Sequence, residues 1–142
     1  MTCSSCVFET SRLLVKEWHS LTSDDWDVQE LAEVVMALLT APVTRSLPPA
    51  WRGEYTLSRA QAWIQERDLE GTTLLAVSRS SRRPLGLMIL FETESKLPGR
   101  IDIRLGYLLS ESAWGTGIAT EMIGGFSEWC RGQGSVANII AG

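Results

Sequence analysis

Leu105-Gly106-Tyr107-Leu108-Leu109-Ser110-Glu111-Ser112-Ala113-Trp114-Gly115-Thr116-Gly117-Ile118-Ala119-Thr120-Glu121 is the stretch whose reading decides the fold. A strand ends near Leu109, glycines turn the chain, and a helix begins at about Gly117. The first turn of a helix leaves amide hydrogens without intrahelical partners, and together with the helix dipole they attract an anion. Glycines at 115 and 117 remove the side chains that would hold a pyrophosphate off that backbone. Two glycines by themselves also serve a plain strand-to-helix turn, so the context has to separate the readings. A Walker loop requires Lys-Ser or Lys-Thr after its glycines, where this chain has Ile118-Ala119. A dinucleotide fingerprint requires a third glycine and a parallel βαβ unit, whereas the strands before this loop read as antiparallel. Neither nucleotide fold fits.

Upstream of the loop, the pattern predicts strands over Thr72 to Ser78, Leu85 to Thr93 and Arg100 to Leu109. They are separated by Ser80-Ser81-Arg82-Arg83-Pro84 and Lys96-Leu97-Pro98-Gly99, short turn-rich linkers suited to antiparallel hairpins. Further back, Thr56 or Ser58 can cap a helix that runs to about Arg67 with Ala60, Trp63 and Ile64 inward. Val43 to Tyr55 has no period and reads as a loop. An earlier helix, capped at Ser23-Asp24-Asp25, would end near Leu39 before Ala41-Pro42, with Leu31, Val34, Val35, Leu38 and Leu39 as its apolar stripe. Arg12 to Trp18 reads as the first strand. Downstream, the loop helix runs to about Arg131 with Ile118, Met122, Phe126 and Trp129 buried, and Val136 to Ile140 forms a last strand. Gly124-Gly125 in that helix implies close packing on the sheet. The order gives one α+β domain over residues 1–142, a mainly antiparallel mixed sheet with helices on its faces.

Composition narrows the function. An apolar content of 44% and no apolar run near the ~20 residues of a membrane span indicate a globular chain with a real core. The formal charge is -4, and no stripe of Lys and Arg answers a phosphate backbone, so nucleic acid and membrane are excluded as partners. Cys3, Cys6 and Cys130 are an odd set, which points to a reducing cytoplasm over a disulfide framework. Cys3-Ser4-Ser5-Cys6 has metal or redox spacing, but His19 is the only histidine and no second pair follows, so no zinc site closes and no metal is expected.

The loop resembles the cofactor motif of the GNAT superfamily of acetyltransferases, Gln/Arg-x-x-Gly-x-Gly/Ala at a strand-to-helix junction. Gly117 and Ala119 match its last two fixed positions, and Trp114 stands where Gln or Arg is usual. The ribosomal-protein N-terminal acetyltransferase branch carries a similar Trp-Gly-x-Gly-x-Ala-Thr-Glu run after a Gly-Tyr strand, as Gly106-Tyr107 and Trp114 to Glu121 do here. Thr10 to Leu14, Thr44-Arg45 and Tyr55-Thr56 extend the resemblance over nearly the whole chain.

The resemblance implies acetyl-CoA as co-substrate. Its pantetheine would meet backbone near Leu108 and Leu109, and its pyrophosphate would sit on Trp114, Gly115, Thr116, Gly117, Ile118, Ala119 and Thr120. The acceptor would be a primary amine, on a small molecule or at a protein N-terminus, and the Leu109 amide would donate to the oxyanion. A base is needed because only a neutral amine attacks. Relatives often place Glu where this chain has Arg104, so Asp102, on the same strand face, becomes the candidate, with Glu92 and Glu94 as alternatives. The resemblance also implies a further helix and two strands beyond Val136 to Ile140, a thiolate acid within them, and, in their absence, an edge suited to pairing with a second copy of the chain. A non-catalytic acyl-CoA- or partner-binding module is the competing reading.

Overall fold

A computed structural model describes residues 3–21 and 30–141. Its centre is a six-stranded sheet in the order β1 (Val7–Glu9), β2 (Leu13–Glu17), β3 (Thr72–Ser78), β4 (Pro84–Glu94), β5 (Ile101–Leu109) and β6 (Val136–Ala141). Pairing is antiparallel from β1 to β5, and β6 joins β5 in parallel. β2 to β5 lie within a residue or so of their expected bounds. β1 was not expected: a three-residue strand is too short to show a period, and its register, Val7 opposite Lys16, is set by the neighbouring strand.

Among the described residues four α-helices cover the sheet: α1 (Leu31–Leu38), α2 (Ala41–Thr44), α3 (Leu57–Glu70) and α4 (Ile118–Gln133). The cap expected at Ser23-Asp24-Asp25 lies outside the described residues. Thr56 is the cap of α3, its hydroxyl accepting from the Arg59 amide at 3.2 Å. The span expected as a loop from Val43 to Tyr55 holds the end of α2 and a single 3-10 turn at Pro49–Trp51. Both elements start beside a proline, whose fixed φ suits a first helical turn, and both are too short to show a period.

Two cores form because the sheet alternates. Leu14, Leu75, Val77, Leu87, Ile89 and Leu108 meet α1 and α3 through Val34, Leu38, Trp63 and Ile64. Leu13, Leu74, Met88, Leu90, Ile103 and Leu105 meet α4 through Ile118, Met122, Phe126 and Cys130. Cys130 takes the place expected of Trp129, which is only partly buried against the same core. Gly125 explains half of the glycine pair: a Cβ there would lie 2.5 Å from the Phe8 ring, so β1 packs on α4 only over a glycine. Around Gly124 the space is open.

Candidate active site

A cavity of about 630 Å³ flanks the C-terminal half of β5 and takes lining from both faces of that strand. Arg104, Gly106 and Leu108 belong to the α1/α3 face, while Leu105, Tyr107 and Leu109 belong to the α4 face. The cavity therefore crosses the plane of the sheet. On one side it is walled by Val43, Leu47, Trp51, Ile89 and Phe91, and on the other it reaches Trp114, Gly115 and Ala119. Its size suits a small-molecule site.

The backbone of β5 explains the passage. Ser110 N donates to Leu85 O at 2.8 Å and Ser95 N to Arg100 O at 3.1 Å, so even-numbered residues of β5 face β4. Ile101 N donates to Ser135 O at 2.9 Å, so odd-numbered residues face β6. The described β6 register ends at Leu105 opposite Ala141. Tyr107 and Leu109 thus turn their amides away from β4, toward the cavity side, whereas the amide of Leu108 belongs to the β4 ladder. The Leu109 carbonyl accepts from Trp114 Nε1 at 3.0 Å, which pins the end of the strand to the loop.

The loop has the backbone its glycines predict. Gly115 and Gly117 have φ of +70° and +82°, left-handed values that β-carbons disfavour. Gly117 is the N-cap of α4, so the first-turn amides of Ile118, Ala119 and Thr120 are those the helix leaves unpaired. Trp114, Thr116 and Thr120 are exposed, and of these Trp114 lines the cavity; Ile118 is buried in the core, and Thr116 Oγ1 donates to Ala113 O at 2.5 Å. A cation reaches this loop from another element. Arg12, at the start of β2, donates from Nη1 to Thr116 O at 2.9 Å and from Nε to Glu121 Oε1 at 2.7 Å. Its Nη2 has no acceptor among the described residues and lies 3.5 Å from where a Gly117 Cβ would be.

Glu121 holds this cation in place. Its carboxylate accepts from Arg12 N at 2.9 Å, from Arg12 Nε and from the Thr10 hydroxyl. Burial opposes its charge, but those hydrogen bonds and the guanidinium outweigh burial and hold the carboxyl below its usual pKa. The sequence contained a sign of this arrangement in Arg12 and Glu121, yet their 109-residue separation gives no local pattern to read.

The carboxylates expected as bases lie elsewhere. Asp102 is not among the cavity-lining residues, and its Oδ1 accepts from Asn138 Nδ2 at 3.1 Å. Glu92 and Glu94 alternate with Phe91 and Thr93 and so occupy the opposite face from Arg104, and Glu92 accepts from the Cys3 amide at 2.7 Å. Among the described residues Arg104 is the one charged residue of the lining. Cys3, Cys6 and Cys130 are free thiols buried in the α4 core. Burial pushes Cys6 up to about 12 and Cys130 to about 11, and burial with the Glu92 carboxylate raises Cys3 as well, so all three stay protonated and inert. Among the described residues no His, Cys, Asp and Glu cluster could hold a metal, and no helix is long and apolar enough to cross a membrane.

A family model describing the acetyltransferase (GNAT) domain matches residues 19–142. The chain belongs to the GNAT acetyltransferase family. Its fold is shared with a GNAT-family acetyltransferase from Bacillus anthracis at TM-score 0.69 and 13% identity, covering 96% of this chain and 72% of that one. Glucosamine-6-phosphate N-acetyltransferase from Arabidopsis thaliana matches at TM-score 0.58 and 9% identity over 94% of this chain and 82% of that one. A ribosomal-protein-S5-alanine acetyltransferase from Vibrio fischeri matches at 0.53 and 14% over 94% and 73%. At such identities the likeness shows the fold. No curated protein matches the chain.

Proposed function

We propose that this protein transfers an acetyl group from acetyl-CoA to a primary amine. The observation that carries the reading is the single cavity that runs from the glycine loop, past the Leu109 amide, to a wall on the opposite face of the sheet. The pyrophosphate would rest on the amides at the start of α4 beside Arg12 Nη2, where backbone donors, helix dipole and guanidinium act together. The pantetheine would lie along Tyr107 and Leu109, whose amides face away from β4. Leu108, placed in the β4 ladder, would contribute only its side chain.

The amine enters from the Val43 to Trp51 side with its nitrogen lone pair free. It attacks the thioester carbonyl carbon, a C–N bond forms, and the carbonyl electrons collect on oxygen, where the Leu109 amide donates to them. The C–S bond then breaks and CoA leaves as thiolate, while the amine proton passes to water in the open cavity. Trp114 acts as a positioning residue through its bond to the Leu109 carbonyl. Asp102 would require a connecting water to serve as base, since it lines neither wall. The three unpaired thiols suit a reducing cytoplasm. The test is mass-spectrometric detection of acetyl transfer from acetyl-CoA to a panel of primary amines. Acetylated product that depends on the protein is expected, and CoA binding without product from any amine would favour the non-catalytic module instead.

A further inference from the structure

Among the described residues the acceptor wall is apolar except at Ser46 and Arg104. Val43, Leu47, Trp51, Ile89 and Phe91 offer hydrocarbon and aromatic surface, and Arg104 stands among them on β5, opposite Phe91 in register. Arg12 is engaged with Glu121, Arg59 with three backbone carbonyls and Arg67 between Trp51 and Trp63, while Arg45, Arg83 and Arg100 do not line the cavity. The Arg104 side chain has no hydrogen bond or ion pair among the described residues. An arginine at this place is therefore an unspent fork of donors at the mouth of an apolar pocket. The fork geometry matches a carboxylate, and charge-assisted pairs of this kind are the strong ones.

We propose that the acceptor is an apolar primary amine that also carries a carboxylate, and that Arg104 reads the carboxylate. This rests on the reading of the cavity's other half as the acyl-CoA site. Two features select the carboxylate over a phosphate monoester: one guanidinium balances one charge, whereas a phosphate brings about -1.5 to -2, and the wall around it favours a hydrocarbon body.

The experiment reads binding, so it does not depend on turnover. N-acetylphenylalanine and its carboxylate-free counterpart, N-acetyl-2-phenylethylamine, are titrated calorimetrically into the wild-type chain and into Arg104→Gln and Arg104→Lys, with CoA titrated separately into each. The wild type should bind the carboxylate compound at least about tenfold more tightly than its counterpart. Arg104→Gln should erase that ratio, and Arg104→Lys should keep part of it. Equal affinities in the wild type, a ratio that survives Arg104→Gln, no binding of either compound, or tighter binding of phosphoethanolamine than of N-acetylphenylalanine would each overturn the proposal. A wild type that keeps the ratio but takes up no CoA would overturn the donor-site reading and leave the assignment of Arg104 standing.

Discussion

The two ends of the cavity meet charge by different means. At the α4 end, recognition is built from backbone: amides at a helix start, glycines at φ of +70° and +82° that clear the approach, and one arginine brought in from β2. At the other end a single side chain, Arg104, stands on an apolar wall drawn from α2, the Pro49–Trp51 turn, β4 and β5. Backbone recognition tolerates little change of residue, because the chain must keep a particular conformation. A side-chain wall can exchange its members without disturbing the sheet. On the proposed reading, the α4 end holds the acyl donor and the opposite wall sets what is acetylated.

The largest expected effect separates the two ends by pH. Among the described residues no carboxylate lines the cavity, so on this reading the amine itself must lose a proton before it attacks. The rate should climb about tenfold per pH unit below the acceptor's own pKa, near 8 for an α-amine and near 10.4 for a lysine side chain. A profile that levels off well below the acceptor pKa would reveal a base in the protein and restore Asp102 to consideration. CoA affinity should stay flat over the same range.

Next in size is Gly117→Val. A β-branched residue is strained at φ +82°, and its side chain would enter the phosphate position beside Arg12 Nη2. The CoA dissociation constant should rise at least about tenfold, ~1.4 kcal/mol. Circular dichroism should show a folded variant, and an unchanged constant would mean that the glycine serves only the turn.

Trp114→Phe is a smaller change. It removes the donor to the Leu109 carbonyl and keeps the aromatic ring, so the oxyanion amide should lose its fixed aim. Turnover should drop about three- to tenfold, the range of a single hydrogen bond near 1 kcal/mol, with CoA affinity nearly unchanged. Equal loss in both would place Trp114 in the cofactor site itself.

The smallest effect concerns stability. Glu121 is held below its usual carboxyl pKa, so its contribution is complete above the unfolded pKa near 4.5 and is lost as pH falls through the folded value. Thermal melts of wild type and Glu121→Gln should differ at pH 7 and draw together as pH falls below 4.5. A gap that is constant with pH would show that the charge of Glu121 does not matter to folding.

The same contrast explains what could be read before any coordinates. The donor loop was legible because its signal is local: strand, two glycines and helix fall within a few residues, and Thr56 and the three long strands announce themselves by composition and alternation. Arg12 was missed because only the fold brings it to Thr116 and Glu121. The acceptor wall was missed because Val43 and Trp51 sit in elements too short for a period, and because Arg104 reads as a surface residue until Phe91 and Leu47 are seen beside it. Asp102 was chosen from strand parity, which placed it on the right face of β5 and could not show that the cavity begins two residues later.

Calorimetric titration with CoA tests the central claim most directly, since it engages the loop, the Leu109 edge and the fold together. The account predicts saturable binding at one site per chain, weakened at least about tenfold by Gly117→Val, with no saturable heat from ATP or NAD, for which the loop has neither a Walker lysine nor a ribose-binding acid. Absence of CoA binding by the folded wild type, or ATP or NAD binding in its place, would contradict it.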